Sequence, residues 1–98
     1  MLRDVFLGFI KVHILHHASK EPVYGVWLIE ELNQHGYKIG PGTLYPTLHK
    51  LEQEKLLKSH VENHQGKIRK YYKITARGAR MLMEAKKKVT VLVDEIHE

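Results

Sequence analysis

The sequence predicts a mostly α fold with a two-stranded β wing: a winged helix-turn-helix followed by a C-terminal dimerisation helix. Three observations carry this expectation. Two short segments of helical period are joined by a tight turn, with Gly36 placed to stop the first and Gly40-Pro41 to start the second. After Lys55 the apolar period shortens from that of a helix to strict alternation, as a hairpin requires. From Leu82 onward, apolar residues return at alternating three- and four-residue spacings, the seam of helices that pack on one another.

The first helix is expected from about Arg3 to His17. On a helical wheel Leu2, Phe6, Phe9, Ile10 and His13 share one face, flanked by Val5 and Val12 on one side and by Leu7 and Ile14 on the other. Asp4, Lys11 and Leu15 are left opposite. The apolar arc exceeds the ~100° stripe of a surface helix, so this helix should be buried on two sides, by its own core and by a second subunit. Ala18-Ser19-Lys20-Glu21-Pro22 reads as a polar linker. A second helix follows from about Tyr24 to His35, with Gly25, Leu28, Ile29 and Leu32 inward and Gly36 as its left-handed stop.

Gly40 can then cap a third helix, with Pro41 suited to its first position. That helix runs to about Glu54, with Leu44, Leu48 and Leu51 facing inward. In the hairpin, Leu57, Ser59 and Val61 alternate with Lys58, His60 and Glu62. After the turn Asn63-His64-Gln65-Gly66, Ile68, Lys70, Tyr72 and Ile74 alternate with Lys67, Arg69, Tyr71 and Lys73. Of these, Ile68, Tyr72 and Ile74 are expected to pack, while Lys67, Arg69 and Lys70 reach outward. Thr75 is a suitable N-cap for the last helix, whose Leu82, Ala85, Val89, Leu92 and Ile96 form the seam. Two heptads are too few for a coiled coil alone, but they can extend another dimer contact made by Phe6, Phe9 and Ile10. The expected organisation is one compact unit, with the winged helix-turn-helix at 1–74 and the dimerisation helix at 75–98.

Composition narrows the function classes. The 98 residues suffice for one modest core, and 43% apolar with 28% charged residues is globular composition. No run approaches the ~20 apolar residues of a membrane span. The N-terminus carries Asp4 and breaks its apolar run at Lys11, so it is expected to be a helix rather than a secretion signal. There is no cysteine, hence no disulfide framework, thiolate metal site or cysteine nucleophile, and a cytoplasmic location is the expectation. Sixteen Lys and Arg stand against 11 acids, a formal charge of +5, which favours a polyanionic partner such as nucleic acid. Ser19 and Ser59 lie in a linker and a strand, with no phosphate loop or zinc-protease motif, so no enzyme is expected and no cofactor is called for.

With the leucines of the third helix turned inward, its outer side presents Gly42, Pro46, His49 and Gln53, with Thr43 and Lys50 on one flank and Tyr45 on the other. Short residues at the start let the helix end press against a partner, and its unpaired N–H groups and positive dipole end suit phosphates. An ordinary solvated face would have no use for Pro46, which removes a helical hydrogen bond. Lys67-Ile68-Arg69-Lys70-Tyr71-Tyr72-Lys73 places four cations among aromatic rings on the wing, where they can follow a groove or its phosphates. Together these point to double-stranded DNA. The rival is a winged-helix module that docks a protein with the same faces; the basic wing favours DNA.

The order Pro22-x-Tyr24-Gly25, then Gly42-Thr43-Leu44-Tyr45-Pro46-x-Leu48-x-x-Leu51-Glu52, then Arg69-Lys70-Tyr71-Tyr72-x-Ile74-Thr75-x-x-Gly78 resembles the pattern of the PadR family of transcriptional regulators. The resemblance implies a winged-helix domain with a dimerising C-terminal helix, and repression relieved by a small-molecule or stress signal. The two-fold symmetry of such a homodimer in turn calls for an inverted-repeat operator. The resemblance also implies that Thr43 and Tyr45 lie at the DNA. Two departures stand out: Gly40 occupies the usual small polar cap, and the C-terminal part is one short helix.

Two further features invite a ligand. Trp27 projects away from the inner stripe of the second helix and could stack on a planar effector, although such a residue is commonly covered by a neighbouring segment. His13 and His17 share a helical face at metal-site spacing. With no cysteine and no acid on that face, a core or interface pair is the expected role, and no metal.

Overall fold

The computed structural model describes residues 2–98. Among these, the chain forms α1 (Leu2–Lys20), α2 (Gly25–Gln34), α3 (Pro41–Gln53), β1 (Leu57–His64), β2 (Lys67–Ile74) and α4 (Ala76–Ile96). The strands pair antiparallel from Leu57 opposite Ile74 to His64 opposite Lys67. This is the expected winged helix-turn-helix, with its helices packed around a single core.

The core side of α1 is Ile10, Ile14, Leu15 and Ala18. Leu15 is therefore not on the outer face, as the wheel suggested, but 2% exposed. The reason is that an apolar arc wider than one contact cannot say which half meets the core. Here the C-terminal half turns inward, while Leu2, Val5, Phe6 and Phe9 stay exposed on the other side. The helix also continues through the expected linker to Lys20. Ser19 donates its hydroxyl to the His16 carbonyl at 2.6 Å, so a polar residue is satisfied without leaving the helix. Pro22 then enforces the end by disfavouring helical backbone at Glu21. The next residue, Val23, exchanges two backbone hydrogen bonds with Tyr72, at 2.9 and 2.7 Å, and becomes a one-residue third strand on the wing.

Each helix of the helix-turn-helix ends in the same device. Gly36 (φ 93°) and Lys55 (φ 65°) sit in the left-handed region. After α2 the Tyr37 and Gly36 N–H groups donate to the Leu32 and Asn33 carbonyls; after α3 those of Leu56 and Lys55 donate to Leu51 and Glu52. The turn between α2 and α3 is clamped by Asn33, whose amide oxygen accepts from the Ile39 N–H and whose nitrogen donates to the Ile39 carbonyl, both at 3.0 Å. Leu28, Leu32, Leu44 and Leu48 are fully buried beneath it.

The wing turn is tighter than expected. Only Gln65 and Gly66 lie outside the strands, both at positive φ (53° and 85°), as a two-residue type I′ turn demands. Most of the wing stands clear of the core. Tyr72 is buried, but Ile68 is 75% exposed, so the expectation that Ile68 packs fails. It lies on the same strand face as Tyr72, opposite Asn63 near the tip, where the core no longer reaches. One tether holds the wing to α3. Glu52 accepts the Ser59 hydroxyl, and Lys70 Nζ lies 3.7 Å from its other oxygen. The Ser59 bond, ahead of the Lys70 charge, holds the Glu52 carboxyl below its ordinary range.

Thr75 caps α4, accepting from the Gly78 N–H at 2.9 Å while donating to the Lys55 carbonyl at 2.6 Å. Gly78 packs so closely that a Cβ there would stand 2.1 Å from the Leu56 carbonyl oxygen. Leu82 completes the core; beyond Ala85, α4 carries no buried side chain, and the molecule is 54 Å long.

Gly78→Ala is expected to lower the urea midpoint, by a stability loss of about 1–3 kcal/mol, because backbone rather than a pliable side chain blocks the methyl group. Glu52 supplies an acid-side signature. A carboxyl with a lowered folded pKa contributes stability that is complete above its unfolded value of 4.5 and is lost as pH falls through that value toward the folded one. Urea unfolding from about pH 6 to about pH 3.5 should show this loss, and Ser59→Ala should make it shallower.

Candidate nucleic-acid interface

Burying Leu44, Thr47, Leu48 and Leu51 turns Gly42, Tyr45, Pro46, His49, Lys50 and Gln53 outward on α3, with Thr43 half-buried. The Thr47 hydroxyl is absorbed internally, donating to the Thr43 carbonyl at 2.7 Å. Gly40 caps the helix without a side chain, so no side-chain acceptor occupies the N–H groups of the first turn. Pro46, having no N–H, leaves the Gly42 carbonyl without its usual donor four residues on. Neither Gly40 nor Gly42 is kept small by the chain itself: a Cβ at either would meet nothing within 4 Å. Their smallness leaves the helix end open to an outside surface.

Tyr45 is held upright by α2. A Cβ on Gly25 would lie 2.5 Å from the Tyr45 Cε1 and hydroxyl, so the glycine of one sequence motif forms the seat for the tyrosine of another. The ring remains 44% exposed. Tyr24, beside that seat, faces the wing. The Arg69 guanidinium lies 4.1 Å over the Tyr24 ring centroid, and Tyr24 meets Tyr71 edge-on at 5.6 Å. The neighbouring Tyr71, more than any other group, raises the Arg69 pKa further. The side chain is thus guided but remains exposed. Lys67 is also exposed. Lys70 is turned back toward Glu52 and the Tyr72 ring, so it is not the outward-reaching cation expected.

Tyr24, Tyr45, His49, Lys67, Arg69 and Lys70 line one open groove of about 860 Å³ between α2, α3 and the inner edge of the wing. A smaller cleft of about 360 Å³ lies between the start of α1 and the start of α3. It sets Arg3 and Lys11 near Gly42, Thr43 and Lys50. The sequence reading passed over both cations, because nothing local in α1 reveals where it crosses α3.

Of the expected interface residues, Ile10 and Leu82 are each 5% exposed and already occupied in the chain's own core. Ala85 is half-buried, whereas Phe6, Phe9, Val89, Leu92 and Ile96 are uncovered. Trp27 is half-buried against the core, edge-on to His17 at 5.3 Å, and also lines the large groove. Contrary to expectation, the histidine face of α1 is not free of acids: α2 brings Glu31 and the adjoining His35 against His17. No helix among the described residues is long and apolar enough to cross a membrane.

The model of the transcriptional regulator PadR-like family matches residues 14–84. The chain is 41% identical over 95 residues to the transcriptional regulator Rv3488 of Mycobacterium tuberculosis, covering 97% of this chain and 89% of that protein. It is similar to the crystal structure of a PadR family transcriptional regulator from Eggerthella lenta, with TM-score 0.83 and 36% identity over 98% of this chain and 85% of that one. A PadR-like transcription factor from Bacteroides fragilis matches with TM-score 0.84 and 31% identity, over 97% and 93% of the two chains. Matches this long, agreeing in sequence and in fold, make the assignment plain: the chain belongs to the PadR-like family of transcriptional regulators, which act on transcription and are not enzymes.

Proposed function

We propose that this regulator is a cytoplasmic, homodimeric repressor that binds an inverted-repeat operator in double-stranded DNA. In this reading residues 1–74 form the DNA-binding unit and 75–98 the dimerisation helix. Thr43, Tyr45, Pro46, His49 and Lys50 approach base edges in a major groove, with Gly42 allowing the close fit. Lys67 and Arg69 follow phosphates or the adjacent minor groove, Tyr24 aims Arg69, and Lys70 assists once released from Glu52. Repression is relieved by a small-molecule or stress signal, with Trp27 as a stacking surface.

The observation that carries this reading is the shared groove. Tyr45 and His49 of α3 and Lys67 and Arg69 of the wing open onto it together, while Gly40 and Gly42 are small without internal need. Self-association is supported by two uncovered apolar faces, Phe6 with Phe9 on α1 and Val89, Leu92 and Ile96 on α4. The two-heptad seam is short, but two faces on one molecule give a larger shared contact.

Two classes of variant should separate. Thr43→Ala and Tyr45→Ala are expected to weaken operator binding by about 1–3 kcal/mol and to spare binding to random duplex. Lys67→Ala and Arg69→Ala should weaken binding to every sequence and flatten the salt slope by about one unit each. Fluorescence anisotropy across a salt series reads both, and identical profiles for the two classes would refute the division of labour.

Val89→Asp with Leu92→Asp should give a folded monomer, since both positions are exposed within the single chain. Sedimentation velocity checks this: a monomeric wild type at micromolar concentration removes the dimer. In a rigid dimer, inserting about five base pairs between operator half-sites should reduce affinity to that of one half-site, while about ten should restore part of it.

A further inference from the structure

His17, Glu31 and His35 do not belong to the groove or to the exposed apolar faces. His17 comes from α1, Glu31 from the α2 face that packs against it, and His35 from the residue that ends α2. Glu31 Oε1 stands 2.9 Å from His35 Nε2 and 3.8 Å from His17 Nε2, and one ligand atom from each residue lies within 4.8 Å of the others. Two ligands at the ~2.0 Å bond length of a tetrahedral zinc site lie about 3.3 Å apart, between the two separations seen here. His17 Nε2 is buried with no hydrogen-bond partner, and 3.8 Å is too long for Glu31 to supply one. A buried polar atom left unpaired is costly, so its presence asks for an explanation.

We infer that His17, Glu31 and His35 form a binding site for a divalent transition-metal ion of the zinc class. Two imidazole nitrogens and one carboxylate oxygen make a three-ligand set with an open fourth position. Nitrogen donors disfavour Ca²⁺ and Mg²⁺, which prefer all-oxygen sites, and no thiolate is present to select softer ions. His13, whose ring centroid is 5.9 Å from that of His35, stands beside the triad rather than in it. An ion here ties α1, which carries one exposed apolar face, to the first helix of the helix-turn-helix.

The test uses the untagged full chain, stripped with a chelator and titrated with Zn²⁺ against a chromogenic competitor. One Zn²⁺ per chain is expected, with a rise in melting temperature, and Co²⁺ should give the visible bands of a four-coordinate ion. Glu31→Gln and His35→Ala should each weaken Zn²⁺ binding by at least about tenfold and remove the Co²⁺ bands. His35 is half exposed, so its replacement should leave the fold intact, as circular dichroism would verify. His60→Ala with His64→Ala, on the wing, should change nothing. Wild-type affinity in both Glu31→Gln and His35→Ala, or loss of binding only in the wing variant, overturns the site; either result leaves a histidine–carboxylate contact alone.

Discussion

The inward turn of Leu44, Leu48 and Leu51 is the constraint on which the rest depends. These side chains are at most 1% exposed, and burying them is worth roughly 1.5–3 kcal/mol each. Their burial fixes the rotation of α3 about its axis, and with it which residues look outward. Thr47 shares the buried side by spending its hydroxyl on its own helix, which removes it from the outer face. Gly42, Tyr45, Pro46 and His49 are left facing out as a geometric consequence. Rotating α3 by one residue, about 100°, would expose a leucine and bury polar groups without partners. The face offered to a partner is therefore held by apolar burial on the opposite side.

From α3 that constraint passes to the wing and the last helix through a few residues. Lys55, in left-handed backbone, reverses the chain and its carbonyl accepts the Thr75 hydroxyl; Leu56 follows, and its carbonyl accepts the Thr75 N–H. Gly78 then lies against the same carbonyl. Helix end, first strand and start of α4 thus meet at one junction, with Glu52 and Ser59 as a second tie to the hairpin. Between α2 and α3, Asn33 holds the turn. The outward face of α3, the cations of the wing and the direction of α4 cannot change independently.

Much of this was legible because it depends on local chemistry. Gly36, Pro41 and Thr75 mark helix boundaries through backbone angles and capping, and the three leucines of α3 repeat at helical spacing. What escaped depends on contacts between distant segments. The apolar arc of α1 was visible, but which half faced the core was set by packing partners, so Leu15 was misplaced and Ile10 assigned outward. Ile68 had the right strand parity and the wrong distance from the core. A one-residue strand at Val23 has no periodicity to detect. The wheel for α1 could not show that Glu31 and His35 arrive from α2, nor that Glu52 draws Lys70 inward. Tyr45 was picked out by its motif, yet its support by Gly25 required the two helices to be brought together.

The distal part of α4 has another consequence. From Lys86 to Ile96 every side chain is exposed. Isolated helices shorter than about 12–15 residues are marginal in water, so this segment draws little order from the chain that carries it. In the proposed dimer its helicity is a function of how crowded the chain is with others like it: scarce copies fray at the end, paired ones wind up together. Frayed apolar ends are also where proteolysis begins. In that reading abundance sets both the shape of the tail and how long the molecule survives.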